Sequence, residues 1–144
     1  MKTTNFEISK KLKEIGFEAD FNFHYKATDS INLYDSGYED YKERNTPSYD
    51  LETLIDALPD SITREYKSNE DGTIKEFEEK LVISKNEIWY KCYDIETSDD
   101  ANEFWREYEY QQNISIYSWD DSLANIAGKM LIQLYEAGII KFKK

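Results

Sequence analysis

Cysteine, histidine, proline and glycine are all scarce in this chain. Its 144 residues include one cysteine, Cys92, and one histidine, His24. A lone cysteine cannot form an intrachain disulfide, so nothing indicates an oxidising compartment. Only two prolines and five glycines occur, and no low-complexity stretch marks a linker. At this length, the sequence predicts a single domain over residues 1–144.

Long hydrophobic runs are also missing. No stretch approaches the roughly 20 apolar residues that a membrane helix needs. The first residues, MKTTNFEISKKLKEIG, lack the continuous apolar core of a signal peptide. We therefore expect a cytoplasmic protein.

The motifs of common catalytic and cofactor sites are absent. The chain has no Gly-rich phosphate loop, no His-Glu-x-x-His and no Cys-x-x-Cys. A Cys92–His24 dyad would require the fold to bring the two residues together, and both residue types are far more often structural. Adjacent acids such as Glu78–Glu79 and Asp120–Asp121 are interpreted as surface residues, the second pair as helix caps. The sequence predicts a protein that is not an enzyme and has no cofactor.

One segment partly fits a calcium-binding loop. KSNEDGTIKEFE, from Lys67 to Glu78, has oxygen ligands and a glycine at suitable positions. Lys67, however, occupies the first ligand position, where an ammonium group would repel the cation. Asp71-Gly72 is also a strong turn signal, so we interpret the segment as a hairpin turn and predict no metal site.

Basic residues are few relative to acidic ones. The chain has 18 Lys and Arg against 30 Asp and Glu, a net charge of −12. Residues 27–100 carry 20 acids and 8 bases and therefore account for the whole net charge. This argues against direct binding to nucleic acid or to an anionic membrane. A protein partner with a basic surface would be attracted. The alternative is that the charge only keeps the protein soluble.

Tyrosine, by contrast, is abundant, and it is interleaved with carboxylates in YDSGYEDYKER, Tyr34 to Arg44. Tyrosines at 34, 38 and 41 would share a face if the segment were helical. Tyrosine rings offer flat contact area and are favoured in interfaces. The alternative is a solvated loop whose tyrosines pack on the core. The predicted partner-binding residues are Tyr34, Asp35, Tyr38, Glu39, Asp40, Tyr41 and Glu43.

Hydrophobic periodicity predicts three principal helices, over about 4–15, about 50–58 and about 121–136. Ser48 or Asp50 would cap the second helix, and Pro59 would end it. The segment Asp99–Tyr110 is ambiguous between helix and strand, and a short helix followed by a strand at about 113–118 is favoured.

Alternating patterns predict several strands. In FNFHYKA, Phe21, Phe23 and Tyr25 would form one buried face, with His24 on the polar side. A strand around Ile31–Tyr34 and two hairpins, SITREYK with TIKEFEEKLVIS and KLVIS with EIWYKCYD, follow. The predicted fold is α+β, with an antiparallel sheet of about four to five strands packed by an N-terminal helix, a short middle helix and a long C-terminal helix.

Two segments, TPSYDLETLIDALPDSI and SLANIAGKMLIQLYEAGII, resemble segments of small uncharacterised proteins encoded by bacteriophages and prophages. They cover a quarter of the chain. The resemblance implies a phage or mobile-element origin, a host-cell cytoplasmic location and a small α+β fold, but no catalytic role. The positions that carry it have the character of packing positions: Tyr49, Leu51, Leu54, Leu58, Pro59, Leu123, Ala124, Gly128 and Leu131.

Small acidic phage proteins commonly act by binding, and some inhibit host defence nucleases. With the charge distribution, this favours an anti-CRISPR-type inhibitor that acts as a nucleic-acid mimic and binds the basic surface of a host nucleic-acid-handling protein. The alternative is a phage housekeeping or assembly protein that self-associates through Trp105, Tyr108 and Tyr110, making a homodimer. A small hydrolase, the third interpretation, would need a deep pocket with a carboxylate of raised pKa.

Overall fold

The computed structural model describes residues 2–26, 28–35, 45–92 and 101–142, without the side chains of 101–103. Four helices and seven strands lie in these ranges. The helices are α1 Phe6–Glu14, α2 Leu51–Ala57, α3 Ala101–Glu107 and α4 Leu123–Glu136. The strands are β1 Phe23–Lys26, β2 Asp29–Asp35, β3 Thr46–Ser48, β4 Ser61–Lys67, β5 Ile74–Ile83, β6 Glu87–Cys92 and β7 Ser115–Tyr117.

These elements confirm the predicted α+β fold with its N-terminal, short middle and long C-terminal helices. The strands form two antiparallel sheets rather than one. The first has three strands in the order β2-β1-β3, and the second has four in the order β4-β5-β6-β7. Both predicted hairpins, β4–β5 and β5–β6, are present.

Backbone proximity divides the chain into two compact units. Unit 1 comprises Met1–Leu58, Lys85–Glu87 and Ile116–Lys144, and unit 2 comprises Pro59–Ser84 and Ile88–Ser115. That residues 1–144 form one domain stays a prediction.

In unit 1, α1 and α2 both pack on the long helix α4, and α1 also packs on β3. Leu12 of α1 and Leu54 of α2 are completely buried, as are Ile126 and Leu131 of α4. Gly128 lets α1 approach closely, because a Cβ atom at this position would lie 2.6 Å from the Ile8 Cγ2 atom. An aliphatic core with one small residue at the closest approach therefore holds the three helices.

A buried polar network joins the first residues of unit 1 to β3. The Thr4 carbonyl accepts a 2.6 Å hydrogen bond from the Ser48 hydroxyl, and the Thr4 hydroxyl lies 2.6 Å from that of Ser9. Ser48 is therefore part of β3 and does not cap α2. The cap is the other predicted candidate, Asp50, whose carboxylate accepts a 2.8 Å hydrogen bond from the Thr53 N–H.

In unit 2, the hairpin β4–β5 alternates between a solvent face and a buried face. The turn contains Gly72 at a φ of +74°, a conformation that glycine adopts without strain. Backbone hydrogen bonds link this hairpin to the end of α3, with Asn69 donating to Glu107 at 2.6 Å and Glu109 donating to Lys67 at 2.8 Å. The core beneath the hairpin is largely aromatic: Tyr66, Phe77, Cys92, Phe104 and Tyr108, with Trp105 packed against it.

Three local predictions were wrong. His24 was assigned to the polar side of its strand, yet it is completely buried, and its neighbour Tyr25 on the opposite face is buried too. Asp120 and Asp121 were predicted as helix caps, but Ser122 is the N-cap of α4. Glu79 was assigned to the surface, yet only 2% of it is exposed.

Candidate protein-interaction surface

Of the predicted binding segment, the structure describes Tyr34 and Asp35, which end β2. Hydrogen bonds to Asp29, at the start of β2, hold the backbone that leads to them. Asp29, which opens β2, accepts four hydrogen bonds with its carboxylate. The Ile31 and Asn32 N–H groups donate to Oδ1, and the Asn32 amide and the Tyr34 hydroxyl donate to Oδ2. These bonds hold the pKa of Asp29 well below its usual range, with the Tyr34 hydroxyl as the largest cause.

Tyr34 contacts neighbouring residues of its own sheet through both its hydroxyl and its ring. Its hydroxyl donates to Asp29 at 2.7 Å, and this hydrogen bond raises the pKa of Tyr34. The Lys26 ammonium lies 4.2 Å from the ring centroid, and the His24 ring stacks at 6.1 Å. Tyr34 therefore lies in a strand rather than on a helix face, and its ring is half-buried.

Asp35 ends β2 opposite Phe23 and is exposed, so a partner can reach it. The other predicted binding residues, Tyr38, Glu39, Asp40, Tyr41 and Glu43, lie outside the described residues. That they bind a partner stays a prediction.

Two exposed apolar residues lie next to this segment, and the sequence pattern did not indicate them. Ile31 is 85% exposed and Leu33 is 42% exposed. Lys26 of β1 pairs with Asp29, but the preceding Tyr25 pairs with Leu33, so the register between the two strands shifts. Within the skipped residues, the N–H groups of Ile31 and Asn32 donate to the Asp29 carboxylate. Such a bulge breaks the alternation of buried and exposed side chains. The only sequence signal was Asp29 itself, a residue type that hydrogen-bonds the backbone two positions on.

Helix α2 carries a second exposed acidic surface. Glu52 and Asp56 are four residues apart and exposed, which places them on one face of the helix. No Lys or Arg in the described ranges forms an ion pair with either, and the last turn contains no basic residue. Like charges at this spacing, and an acid near a helix C-terminus, both destabilise the helix. Glu52 lies in the first turn, where the helix dipole favours an acid, but Asp56 is not explained by the stability of α2.

The solvent face of the β4–β5 hairpin repeats this arrangement. Glu65 lies directly opposite Glu76, and Thr63 lies opposite Glu78. All four side chains are exposed. Like charges directly opposite in an antiparallel pair are destabilising. The Glu65–Glu76 pair thus lowers the stability of the hairpin, whereas the Glu78 carboxylate lies 4.0 Å from the Lys80 ammonium.

The one acid on the other face of the hairpin has a structural role. Glu79 binds Arg64 through two hydrogen bonds, of 2.5 Å and 2.8 Å, and accepts a third from the Tyr66 hydroxyl at 3.1 Å. Burial is the largest of the effects that raise the pKa of Tyr66. Because Arg64 neutralises the carboxylate beside the aromatic core, this pair stabilises unit 2.

The three aromatic residues proposed for self-association differ in exposure. Tyr110 is 67% exposed, but Tyr108 is buried. Trp105 is half-buried and its ring lies 5.0 Å from that of Phe104. The prediction that all three are exposed was therefore wrong for Tyr108, which belongs to the core of unit 2.

Unit 1 contains a cavity of about 100 Å³. Its walls are mainly aromatic, with the Phe17 and Tyr49 rings 4.8 Å apart, and Lys13 at the edge donates to the Asn45 carbonyl at 2.9 Å. The lining residues are Lys13, Gly16, Phe17, Glu18, Ala19, Phe21, Pro47 and Tyr49. Among the described lining residues Glu18 is the one carboxylate, and it is exposed, so these residues do not supply the pair of carboxylates that acid–base hydrolysis uses.

Within the described ranges, no group of three or more His, Cys, Asp or Glu side chains is arranged to hold a metal ion. In those same ranges, every helix is too short or too polar to span a bilayer. Cys92 is buried in the core of unit 2, and His24 belongs to unit 1.

No protein-family model matches this chain, and no curated protein or solved structure matches it either. The function is therefore inferred from the chain's own residues.

Proposed function

We propose that this protein is an acidic, phage-type binding protein that occupies the basic surface of a host nucleic-acid-handling defence protein, such as a CRISPR effector, and inhibits it without catalysis. The observation that carries the proposal is the placement of exposed acids where they destabilise their own elements. Glu52 and Asp56 share one face of α2, and Glu65 opposes Glu76 across the hairpin. A carboxylate that costs stability is explained if it binds a cationic partner.

The proposed contact residues include the segment predicted from the sequence, from Tyr34 to Glu43. Asp35 is accessible, and the hydrogen bonds to Asp29 fix the backbone that leads to it. A fixed backbone reduces the entropy lost on binding. The phage or prophage origin, the action in the host-cell cytoplasm and the mimicry of nucleic acid are part of the same proposal. They rest on the resemblance and on the charge.

The test is inhibition of guide-directed DNA cleavage by a panel of purified CRISPR effectors. We expect the protein to inhibit at least one effector, and to do so less well as salt rises from about 50 to about 200 mM, because electrostatic steering is screened. Reversing Asp35, Glu39 and Asp40 together should weaken inhibition and reduce its salt dependence. The matched control reverses Glu14, Glu18 and Asp20, three exposed acids outside the acidic region 27–100, and should inhibit normally.

Two results would defeat the proposal. One is the absence of inhibition across the panel together with no binding to any effector at low salt. The other is inhibition that the Asp35, Glu39 and Asp40 reversal and the control reversal reduce equally, since net charge alone would then explain the effect.

Self-association is a second proposal, favoured by apolar residues exposed on unit 2. Ile74 is 64% exposed, Ile83 is 41% exposed and Tyr110 is 67% exposed. An apolar dimer contact through these residues would not weaken with salt. Analytical ultracentrifugation at low and high salt distinguishes the two proposals. A monomer at both salt concentrations over the micromolar range would contradict self-association.

A further inference from the structure

Two of the most exposed aromatic residues of unit 1 lie close together in sequence, outside the predicted binding segment. Trp119 is 76% exposed and Tyr117 is 63% exposed. Among the described residues, no aromatic ring or cation stacks on either ring. Trp is highly buried on average, and Trp and Tyr are the residues most enriched in the energetic centres of interfaces. This pair is therefore unusual for a surface without a partner.

The backbone that carries the pair is held on both sides. Tyr117 ends β7, and the Ser118 N–H donates to the Asn86 carbonyl at 3.0 Å, so pairing continues past the strand. The Ser118 hydroxyl lies 2.8 Å from a carboxylate oxygen of Asp120. The two rings are thus presented by a fixed backbone, which lowers the entropy cost of binding.

The charges beside the pair favour a cationic partner. Asp121 is engaged within α4, since its carboxylate accepts hydrogen bonds from Asn125 at 2.6 Å and Lys129 at 2.9 Å. Asp120 is exposed, and no described Lys or Arg forms an ion pair with it. Ser122 caps α4 by accepting a hydrogen bond from the Asn125 N–H, so Asp120 is not needed as the cap.

We propose that Trp119 and Tyr117, with Asp120, form the contact surface for arginine side chains of the partner protein. A guanidinium group stacks on aromatic faces through cation–π attraction and also pairs with a carboxylate. A lysine ammonium is more strongly hydrated and stacks less well. This inference rests on the proposed function, because it specifies which cations of the basic partner this surface selects.

The test uses two peptides, hexa-arginine and hexalysine, titrated into the full-length protein at low salt by isothermal titration calorimetry. We expect the wild-type protein to bind hexa-arginine about threefold or more tightly than hexalysine. The Trp119→Ala/Tyr117→Ala variant should lose this preference while it still binds both peptides through its carboxylates. Trp119→Phe should retain part of the preference.

Ile31→Ala is the control, because Ile31 is an 85% exposed side chain of the same unit that is not aromatic. It should leave the preference unchanged. Both rings of the tested pair are mostly exposed, so thermal unfolding of the double variant should match that of the wild type. Equal binding of the two peptides by the wild type, or an undiminished preference in the double variant, would overturn the inference alone. No binding of either peptide would overturn the proposed function together with it.

Discussion

Helices α1 and α2 each bury one leucine completely, Leu12 and Leu54, but the charges of their last turns differ. Glu7 lies in the first turn of α1, and Lys11 and Lys13 lie in the last, so each of these charges suits the end of the helix dipole at which it lies. Glu14 also ends α1, which leaves its last turn with two bases and one acid. In α2 the first turn is acidic too, but Asp56 lies in the last turn, where no base occurs. Bases outnumber acids in the last turn of α1, whereas Asp56 of α2 has no base beside it in the last turn. Surface charge that works against local stability points to binding.

The comparison requires that both helices be equally anchored in the core. We expect Leu12→Ala and Leu54→Ala each to lower the free energy of unfolding by about 2–5 kcal/mol, because both side chains are completely buried. Urea denaturation followed by circular dichroism measures the change. Leu33→Ala, at a 42% exposed position, is the control and should cost much less. A loss below about 1 kcal/mol for Leu54→Ala would mean that α2 is not anchored as α1 is.

The packing of α1 on α4 can be broken from the α4 side. In Gly128→Ala, the added Cβ would lie 2.6 Å from Ile8 Cγ2 and 3.2 Å from Thr4 Cγ2. We expect a loss of about 1–3 kcal/mol from overpacking, even though alanine is the better helix former. Thermal unfolding measures it, with Lys10→Ala at an exposed position of α1 as the control. A more stable Gly128→Ala variant would show that the two helices separate readily.

The buried side chain of Tyr49 should make the stability of unit 1 sensitive to alkaline pH. Burial raises the pKa of Tyr49 to about 12, while an unfolded tyrosine titrates near 10. Between these values the unfolded state releases the proton first, so stability present below about pH 10 falls as the pH rises toward about 12. Tyr49→Phe should flatten this dependence in urea denaturation from pH 9 to 12. An unchanged slope would show that Tyr49 ionises without unfolding.

The smallest effect concerns the surface of α2. Asp56→Lys should stabilise the protein by about 0.5–1 kcal/mol, since it places a cation in the last turn and converts a like-charge pair with Glu52 into an attractive one. Lys13→Glu makes the reverse change in α1 and should destabilise by a similar amount. Urea denaturation at low salt measures both. If Asp56→Lys destabilises, an unrecognised contact of Asp56 within the protein explains its presence.

The sequence predicted the elements whose pattern is local. The spacing of Leu51, Leu54 and Leu58 was sufficient for α2, and Asp71-Gly72 was sufficient for the β4–β5 turn. It failed where tertiary structure decides. His24 and Tyr25 are adjacent in β1 and both are buried, so both faces of this strand are covered, a fact that alternation within one strand cannot reveal.

The candidate surface was harder to predict than the fold. Of the predicted residues, Asp35 is exposed as expected, but Tyr34 is bound by Asp29 and Lys26. These contacts come from a bulge that no periodicity indicates. The exposure of Trp119 was equally hidden, because an aromatic residue beside a helix has the same pattern whether it faces the core or solvent.

The central claim is that the acids of α2 are present to bind cations rather than to stabilise the helix. Affinity for hexa-arginine, measured by calorimetry on two variants of equal charge change, tests it most directly. One is Glu52→Lys/Asp56→Lys in α2, and the other is Glu7→Lys/Glu14→Lys, two exposed acids of α1. We predict that the α2 variant binds the peptide less tightly than the α1 variant. Equal affinities of the two variants would contradict the claim, since only net charge would then matter.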